Sequence, residues 1–206
     1  DKVVLNAAGV EAFNKKIIAA SPTVYDMAAY PKTLSGKTVA DYVNTHTDLS
    51  DELYREGKLV SDNYKNILRS QTNAAAIPAD VTVRYGVTVR RANLRNLPTG
   101  EGLFFYASDR NFDALQETAL DPGEAVAILH TSTNGYFYYV QAYNYRGWLS
   151  KFDVAETDRS TWLRYAEPKN FLTVVAKDYT LKADGAQVLF QQGARLQLAD
   201  KKASAY

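Results

Sequence analysis

The side chains that most often act as nucleophiles or bases in enzymes are scarce in this sequence. It contains no cysteine and two histidines, His46 and His130. The absence of cysteine excludes a thiol nucleophile, a thiolate metal site and a disulfide within these 206 residues. His46 follows a helical pattern and His130 ends an apolar run, so we interpret each as a hydrogen-bonded structural residue. Two histidines without an adjacent acidic pair do not predict a zinc site, and the sequence indicates no metal and no cofactor.

Acidic residues offer a second kind of chemistry, because two carboxylates can together hydrolyse a glycosidic bond. Several acids fall within one segment: Glu101, Asp109, Asp113, Glu117 and Asp121. Acids are common in exposed loops, and the pattern favours a solvated surface over a catalytic pair. The glycines are scattered and none opens a helix after a strand, so no phosphate-binding loop is predicted. The residues therefore favour a binding function over a catalytic one.

Aromatic side chains are abundant, with 15 Tyr, 8 Phe and 2 Trp. Tyrosine joins an apolar ring to a polar hydroxyl, which suits a half-buried surface that contacts a ligand. Rings of this kind, with an arginine that forms a forked pair with a carboxylate, could hold an extended peptide. The predicted ligand-binding residues are Arg95, Tyr136, Tyr138, Tyr143, Tyr145 and Trp148. The alternatives are that the tyrosines fill a β core, that Trp148 anchors a barrel, and that Arg95 pairs with Asp113 or caps the turn at Leu97-Pro98.

Short strands and turns dominate the middle of the chain. Residues 81–90 alternate between apolar and polar types, which predicts one half-buried strand with a bulge or bend at Gly86. Asn134-Gly135 separates an apolar run from an aromatic run and predicts a two-residue type I′ hairpin. Residues 121–124 predict a turn, and residues 145–149 predict a tight turn that leads into a strand. This spacing of strands and turns predicts a small β-barrel, with residues 101–120 as a long loop that lines a ligand groove.

The flanking segments are of other types. Apolar periodicity predicts helices at residues 11–20, 36–45 and 60–69. A fourth helix is predicted at residues 48–56, with Ser50 as its N-cap and Asp51 and Glu52 in its first turn. Residues 70–79 read as a linker. A second β pattern begins at Phe171 and includes a hairpin turn at residues 183–185. Either the chain ends before a second barrel is complete, or these strands complete the first barrel.

Several motifs occur in an order that resembles a known family. They are Asn93-Leu94-Arg95, Leu97-Pro98-Thr99, Phe112-Asp113 with Gln116, Pro122-Gly123-Glu124 leading to Ile128-Leu129-His130, and Gly147-Trp148. This order resembles the SH3-like (SH3b) region that precedes the catalytic domain in bacterial NlpC-type cell-wall cysteine peptidases. The resemblance implies an α+β fold. A helical N-terminal segment (1–78) would pack on an SH3-like β-barrel (79–160), and residues 161–206 would begin a second, incomplete SH3-like unit. The family has two SH3-like domains before its peptidase domain, which favours a chain that ends early.

The resemblance also implies a function. Enzymes of that family cut the stem peptide of peptidoglycan after γ-D-glutamate, with a Cys nucleophile and a His base. Since no Cys is present, it implies a non-catalytic region that binds peptidoglycan stem peptides or shapes the cleft of a peptidase domain beyond Tyr206. It implies a location in the cell envelope, periplasmic or exported. Two alternatives remain open: an SH3-like adaptor that binds protein or Pro-rich segments, and a structural brace without a ligand.

Charge and hydropathy predict neither a nucleic-acid-binding face nor a membrane span. The formal net charge is +1, and the lysines and arginines do not cluster into a face for nucleic acid. No segment is long and apolar enough to predict a membrane span. The length of 206 residues allows one large or two small domains.

Overall fold

The computed structural model describes residues 3–45, 49, 51–183 and 185–198. Within these ranges the chain forms four α-helices: α1 (Ala7–Ala20), α2 (Gly36–Asn44), α3 (Asp62–Ser70) and α4 (Arg159–Ala166). The strands are β1 (Thr33–Ser35), β2 (Tyr54–Arg55), β3 (Lys58–Leu59), β4 (Asp80–Thr82), β5 (Arg84–Thr88), β6 (Ala92–Arg95), β7 (Gln116–Leu120), β8 (Ala125–Thr131), β9 (Phe137–Gln141), β10 (Arg146–Ser150), β11 (Val154–Thr157), β12 (Phe171–Thr173), β13 (Asp178–Ala183), β14 (Ala186–Gln191) and β15 (Arg195–Gln197). The mixture of helices and strands agrees with the predicted α+β class. None of the helices in these ranges is both long and apolar enough to cross a membrane.

A seven-stranded antiparallel sheet forms the centre of the molecule. Its strand order is β11-β5-β8-β9-β10-β6-β7. The pairing of β8 with β9 shifts register between Ile128 and His130, and that of β6 with β7 shifts between Leu94 and Arg95. Such irregularities increase the local bend and twist of a strand.

The two faces of this sheet are both buried. In β8, Ala125, Ala127 and Leu129 belong to one hydrophobic cluster, while Val126 and Ile128 belong to another. The first cluster also takes in residues of α2 and α4, and the second takes in residues of β6, β9 and β10. A strand buried on both faces needs apolar residues at every position, which explains why residues 125–129 show no alternation.

The alternating stretch at residues 81–90 is two strands, which differs from the single strand predicted. β4 pairs with β1, whereas β5 pairs with β8 and β11. Gly86 pairs regularly with Val126 and Glu156 and forms no bulge. Its role is to permit close packing, because a Cβ at this position would lie 2.5 Å from Cγ1 of Val154.

Three of the four predicted helices are present as α1, α2 and α3. The helix predicted at residues 48–56 is wrong for its described part, because Tyr54–Arg55 is a strand that pairs with Lys58–Leu59. Glu56 and Gly57 form the turn between these strands, with φ of 52° and 80°. The predicted N-cap Ser50 lies outside the described residues. A two-residue turn with positive φ at both positions was predicted at Asn134-Gly135, and the structure contains it at Glu56-Gly57.

The hairpin at Asn134-Gly135 is confirmed, but its predicted turn type is wrong. Gly135 has φ 72°, whereas Asn134 is not in the left-handed region. The loop is longer than two residues, and the N–H of Ser132 donates to the carbonyl of Phe137 at 3.0 Å. The side chain of Asn134 supports this loop by accepting from Ser132 Oγ at 2.8 Å and from the N–H of Tyr136 at 3.0 Å.

Helix α4 was not predicted from the sequence. Asp158 caps it by accepting a hydrogen bond from the N–H of Thr161 at 2.9 Å. Trp162 on this helix is fully buried, and its Nε1 donates to the carbonyl of Val126 at 3.0 Å. The helix thereby covers one face of the central sheet.

The C-terminal strands form a separate small unit. β12 pairs with β15 and β13 with β14, and Val174, Phe190 and Ala194 form their buried core. In the part of the chain that the structure describes, none of these strands joins the seven-stranded sheet. The interpretation in which they complete the first barrel is therefore wrong. The predicted hairpin between β13 and β14 is present, although Asp184 in its turn lies outside the described residues.

Candidate functional site

Two adjoining clefts lie beside the turn that connects β9 to β10. The first has a volume of about 500 Å³ and is bounded by α1, by the start of β8 and by the C-terminal strands, with Ile17, Ile18, Glu124, Tyr143, Tyr165 and Arg195 in its walls. The second has a volume of about 720 Å³ and contains Tyr42, Glu117, Tyr139, Gln141, Tyr145 and Arg146. Val24, Tyr25 and Asn144 line both. Together the clefts form one extended surface.

A glycine turn positions the acid of the first cleft. Gly123 has φ 87° and follows Pro122, an arrangement that suits a type II turn. Its N–H donates to the carbonyl of Thr88 at 2.8 Å, and the N–H of Glu124 donates to Thr88 Oγ1 at 2.9 Å. Burial raises the pKa of Glu124, the charge of Asp121 adds to this effect, and Arg195 opposes it. The first cleft therefore contains the carboxyl group of Glu124 and the guanidinium of Arg195, which come from segments far apart in sequence.

Arg146 organises the second cleft. Its Nε donates to Gln141 Oε1 at 2.6 Å, and its Nη2 donates to the Tyr25 hydroxyl at 2.8 Å. Its guanidinium lies 3.3 Å from the centre of the Tyr42 ring. The Tyr139 hydroxyl donates to the carbonyl of Tyr42 at 2.7 Å, and burial raises the pKa of Tyr139. These contacts hold a cation rigidly against aromatic rings, where it can still be approached from the cleft.

Tyr143 and Tyr145 are the predicted ligand-binding residues that lie at the clefts. Tyr143 is 49% exposed and lines the first cleft, and Tyr145 lines the second. The N–H of Tyr25 donates to the carbonyl of Tyr143 at 2.7 Å, which fastens the N-terminal segment to this turn. The structure therefore brings two of the six predicted residues together.

Tyr136 and Tyr138 lie elsewhere. Tyr136 is exposed at the other end of β9, where its ring contacts Phe152. Tyr138 is buried, and its hydroxyl donates to Glu156 Oε1 at 2.6 Å. Tyr136 directly precedes β9, and the turn that holds Tyr143 follows β9. The two side chains are therefore at opposite ends of that strand.

Arg95 and Trp148 are internal, which differs from their predicted role as ligand contacts. Arg95 is buried, and its Nη1 lies 2.6 Å from Oδ2 of Asp113. Its Nη2 donates to the carbonyl of Glu101 at 2.6 Å. Trp148 is fully buried and meets the Tyr139 ring edge-on, with centroids 5.1 Å apart. The alternatives named for these residues, an ion pair with Asp113 and a barrel anchor, describe what the structure contains.

Two of the candidate catalytic groups, His130 and Asp121, have structural partners. His130 Nε2 lies 3.0 Å from the carbonyl oxygen of Asn73, and burial lowers the pKa of this imidazole. His46 lies outside the described residues. Asp121 pairs with Arg91 at 3.2 Å. Among the described residues no group of three His, Cys, Asp or Glu side chains could hold a metal ion.

Sequence reasoning missed Glu124, Arg146, Arg195 and Tyr25 as cleft residues. Glu124 and Arg146 stand directly beside Gly123 and Gly147, in motifs that we interpreted only as turns. A charged residue next to a turn glycine was the available signal for these two. Tyr25 and Arg195 had no local signal, because the fold brings them to the cleft from both ends of the chain.

Comparisons with known proteins support the fold. Residues 103–150 match the family model described as SH3 domain (SH3b1 type). An SH3b-type domain is therefore present. The structure is also similar to one reported as a novel NlpC/P60 endopeptidase from Photobacterium damselae subsp. piscicida, with a TM-score of 0.70 and 19% sequence identity. The likeness covers 96% of this chain and 48% of that chain, so the chain spans about half of that protein's length. No curated protein matches the sequence.

The match and the likeness confirm the resemblance seen in the sequence motifs. The matched segment contains residues of both clefts: Glu124 and Tyr143 line the first, and Tyr145 and Arg146 line the second. Tyr25 and Arg195 complete the clefts from outside this segment. The candidate site is thus a surface of the SH3b-type domain that is closed by neighbouring parts of the chain.

Proposed function

We propose that this chain is a non-catalytic region of an NlpC-type peptidoglycan hydrolase. In this proposal a helical N-terminal segment (1–78) packs on an SH3-like barrel (79–160), and residues 161–206 begin a second SH3-like unit. The region binds peptidoglycan stem peptides or shapes the cleft of a peptidase domain that follows it, in the cell envelope. The SH3b match, the likeness to an NlpC/P60 endopeptidase and the absence of Cys all support this proposal.

One observation carries the proposal. An acidic residue, Glu124, and a cationic residue, Arg195, line the first cleft together with the exposed ring of Tyr143. Stem peptides are short and carry both carboxylates and an amine, so a cleft with both charges can hold them in one orientation. An arginine can donate two parallel hydrogen bonds to a carboxylate, and a partly buried glutamate can accept from an ammonium group.

The experiment is a calorimetric titration of the chain with a synthetic stem tripeptide, L-Ala-γ-D-Glu-meso-diaminopimelate. Arg195→Gln is expected to weaken binding by about tenfold or more, since a hydrogen bond to a charged group contributes about 1.5–3 kcal/mol. Tyr143→Ala is also expected to weaken binding, because its exposed ring lines the same cleft. Arg164→Gln is a matched control, because Arg164 is an exposed arginine on α4 that lines neither cleft, although its neighbour Tyr165 does. Tyr106→Ala is the corresponding control for Tyr143.

The outcomes separate the proposal from its alternatives. Tripeptide binding that falls in both cleft variants and persists in both controls supports it. A chain that binds neither the tripeptide nor purified sacculi, and whose cleft variants change only its stability, acts as a brace. The burial of Arg95, Tyr138 and Trp148 would fit that second function. Binding to Pro-rich sequences on a peptide array, without binding to the tripeptide, would identify an adaptor.

A further inference from the structure

Two exposed aromatic side chains lie together outside the clefts. Tyr136 is 56% exposed and Phe152 is 63% exposed. Their ring centroids are 6.0 Å apart and their planes are inclined by 31°. We call this pair the aromatic platform. A large ring that stays exposed does not contribute the stabilisation that its burial would give. A pair of such rings is therefore a surface that a ligand could cover.

The platform is remote from the peptide clefts. β9 and β10 are paired from Gln141 with Arg146 at one end to Phe137 with Ser150 at the other. The clefts lie at the first end, and the platform extends beyond the second. Four residue steps along a strand span about 13 Å, so a short ligand in the clefts does not reach the platform.

The backbone holds the platform in place. The N–H of Lys151 donates to the carbonyl of Tyr136 at 2.9 Å, and the N–H of Phe152 donates to Ser150 Oγ at 3.3 Å. Arg90 Nη2 donates to the carbonyl of Phe152 at 3.3 Å. Hydrogen bonds therefore hold the backbone of both Tyr136 and Phe152.

Polar residues lie close in sequence to the two rings, and Arg90 contacts the backbone of Phe152. Arg90 and Lys151 are exposed cations beside Phe152, and Arg90 pairs with Asp153 at 3.3 Å. Asn134 uses its Oδ1 for the two hydrogen bonds that support the loop, so its amide Nδ2 is the group left to donate to a ligand. The site thus combines two ring faces with hydrogen-bond donors and positive charge at their edges.

We infer that the aromatic platform binds the glycan strand of the cell wall. A pyranose ring has one face formed largely by C–H groups, which stacks on an aromatic ring, and hydroxyl groups at its rim that accept hydrogen bonds. Two rings in sequence would hold two neighbouring sugars, and the cations would attract carboxylates attached to them. The choice of a wall glycan as the polymer rests on the proposed function. The platform itself is a second site, separate from the peptide clefts.

The test uses peptide-free glycan strands, released from purified sacculi by an amidase, and measures their binding by calorimetry. Tyr136→Ala and Phe152→Ala are each expected to weaken binding by about fivefold, as loss of one stacking contact does in other aromatic sites. Phe112→Ala is the matched control, since Phe112 is an exposed ring in the 101–115 loop. Tyr143→Ala, in the clefts, is expected to leave glycan binding unchanged.

The outcomes distinguish this inference from the proposed function. Glycan binding that falls in both platform variants, and in neither control, supports the inference. Tripeptide binding without glycan binding would overturn it while leaving the proposed function intact. Glycan binding that both platform variants retain would also overturn it, as would a preference of the platform for a single-stranded oligonucleotide. Because Tyr136 and Phe152 are exposed, both variants are expected to unfold at the same denaturant concentration as the parent chain.

Discussion

Replacing Arg95 with methionine should destabilise the chain without weakening its binding of the tripeptide. In the structure the Arg95 side chain is 6% exposed, and its Nη1 lies 2.6 Å from the Asp113 carboxylate, which is 16% exposed. Asp113 also accepts from the N–H groups of Leu103 and Leu115, at 3.1 and 3.0 Å. The pair therefore ties strand β6 to the loop of residues 101–115. Arg95→Met keeps the length of the side chain and removes its charge and donors.

The magnitude follows from the burial of the pair. Breaking a buried ion pair by removing one partner costs about 3–5 kcal/mol, because the other charge stays buried. Two features favour the lower end: Asp113 keeps its two backbone donors, and Nε of Arg95 is buried without a partner in the folded chain. We expect a loss of about 3 kcal/mol. For a chain of this size that corresponds to a fall in Tm of about 6–12 °C.

The assay is equilibrium unfolding in urea, with Arg84→Met as the control. Arg84 pairs with Glu156 at 2.8 Å, but both side chains are more than 40% exposed, so this change should cost about 1 kcal/mol or less. The tripeptide should bind Arg95→Met as it binds the parent chain. If Arg95→Met instead unfolds like the control and binds the tripeptide more weakly, then Arg95 is a ligand group and our account of it is refuted.

Two further predictions concern Gly147 in β10 and Glu124 in the first cleft. Gly147→Ala should destabilise the chain by about 1–3 kcal/mol in urea unfolding, because the new Cβ would lie 2.5 Å from the carbonyl oxygen of Arg95; a neutral result would contradict this packing. Glu124→Gln should increase stability at pH 7 and weaken tripeptide binding. Burial raises the pKa of Glu124 above its usual 4.5, so the stability that its protonated form contributes is present below that value and is lost as pH rises through the folded-state pKa. The stability gained by the Gln variant should therefore disappear when unfolding is measured near pH 4, and a gain that persists there would refute the assignment.

Much of the fold could be predicted from local patterns. Helices α2 and α3 have apolar stripes and start at Ser35 and Ser61, which accept from backbone N–H groups of the first turn. The Gly123 turn was equally clear from the sequence. The helix predicted at residues 48–56 failed because Ser50, Asp51 and Glu52 resemble a helix start, while Glu56-Gly57 provides a tight hairpin turn. Helix α4 was missed because it is short, half of its eight residues are polar and Trp162 is its one buried residue.

The site was harder to predict than the fold. Tyr136, Tyr138, Tyr143 and Tyr145 are close in sequence, yet the hairpin places them in the core, at the clefts and at the opposite end of the strand. Composition favours tyrosine at a ligand surface and in a core alike, so it cannot separate these cases. Arg195 reaches the first cleft because the C-terminal strands pack beside the turn that holds Glu124. Only the tertiary arrangement contains that information.

The most direct test of the central claim is an amide-resolved NMR titration of the chain with the stem tripeptide. If the clefts bind the wall peptide, the largest shift changes will be at Tyr25, Glu124, Tyr143 and Arg195, while Arg95 and Trp148 will keep their positions in the spectrum. Shift changes centred on Arg95 and Trp148, or a spectrum unchanged at millimolar tripeptide, would contradict the claim.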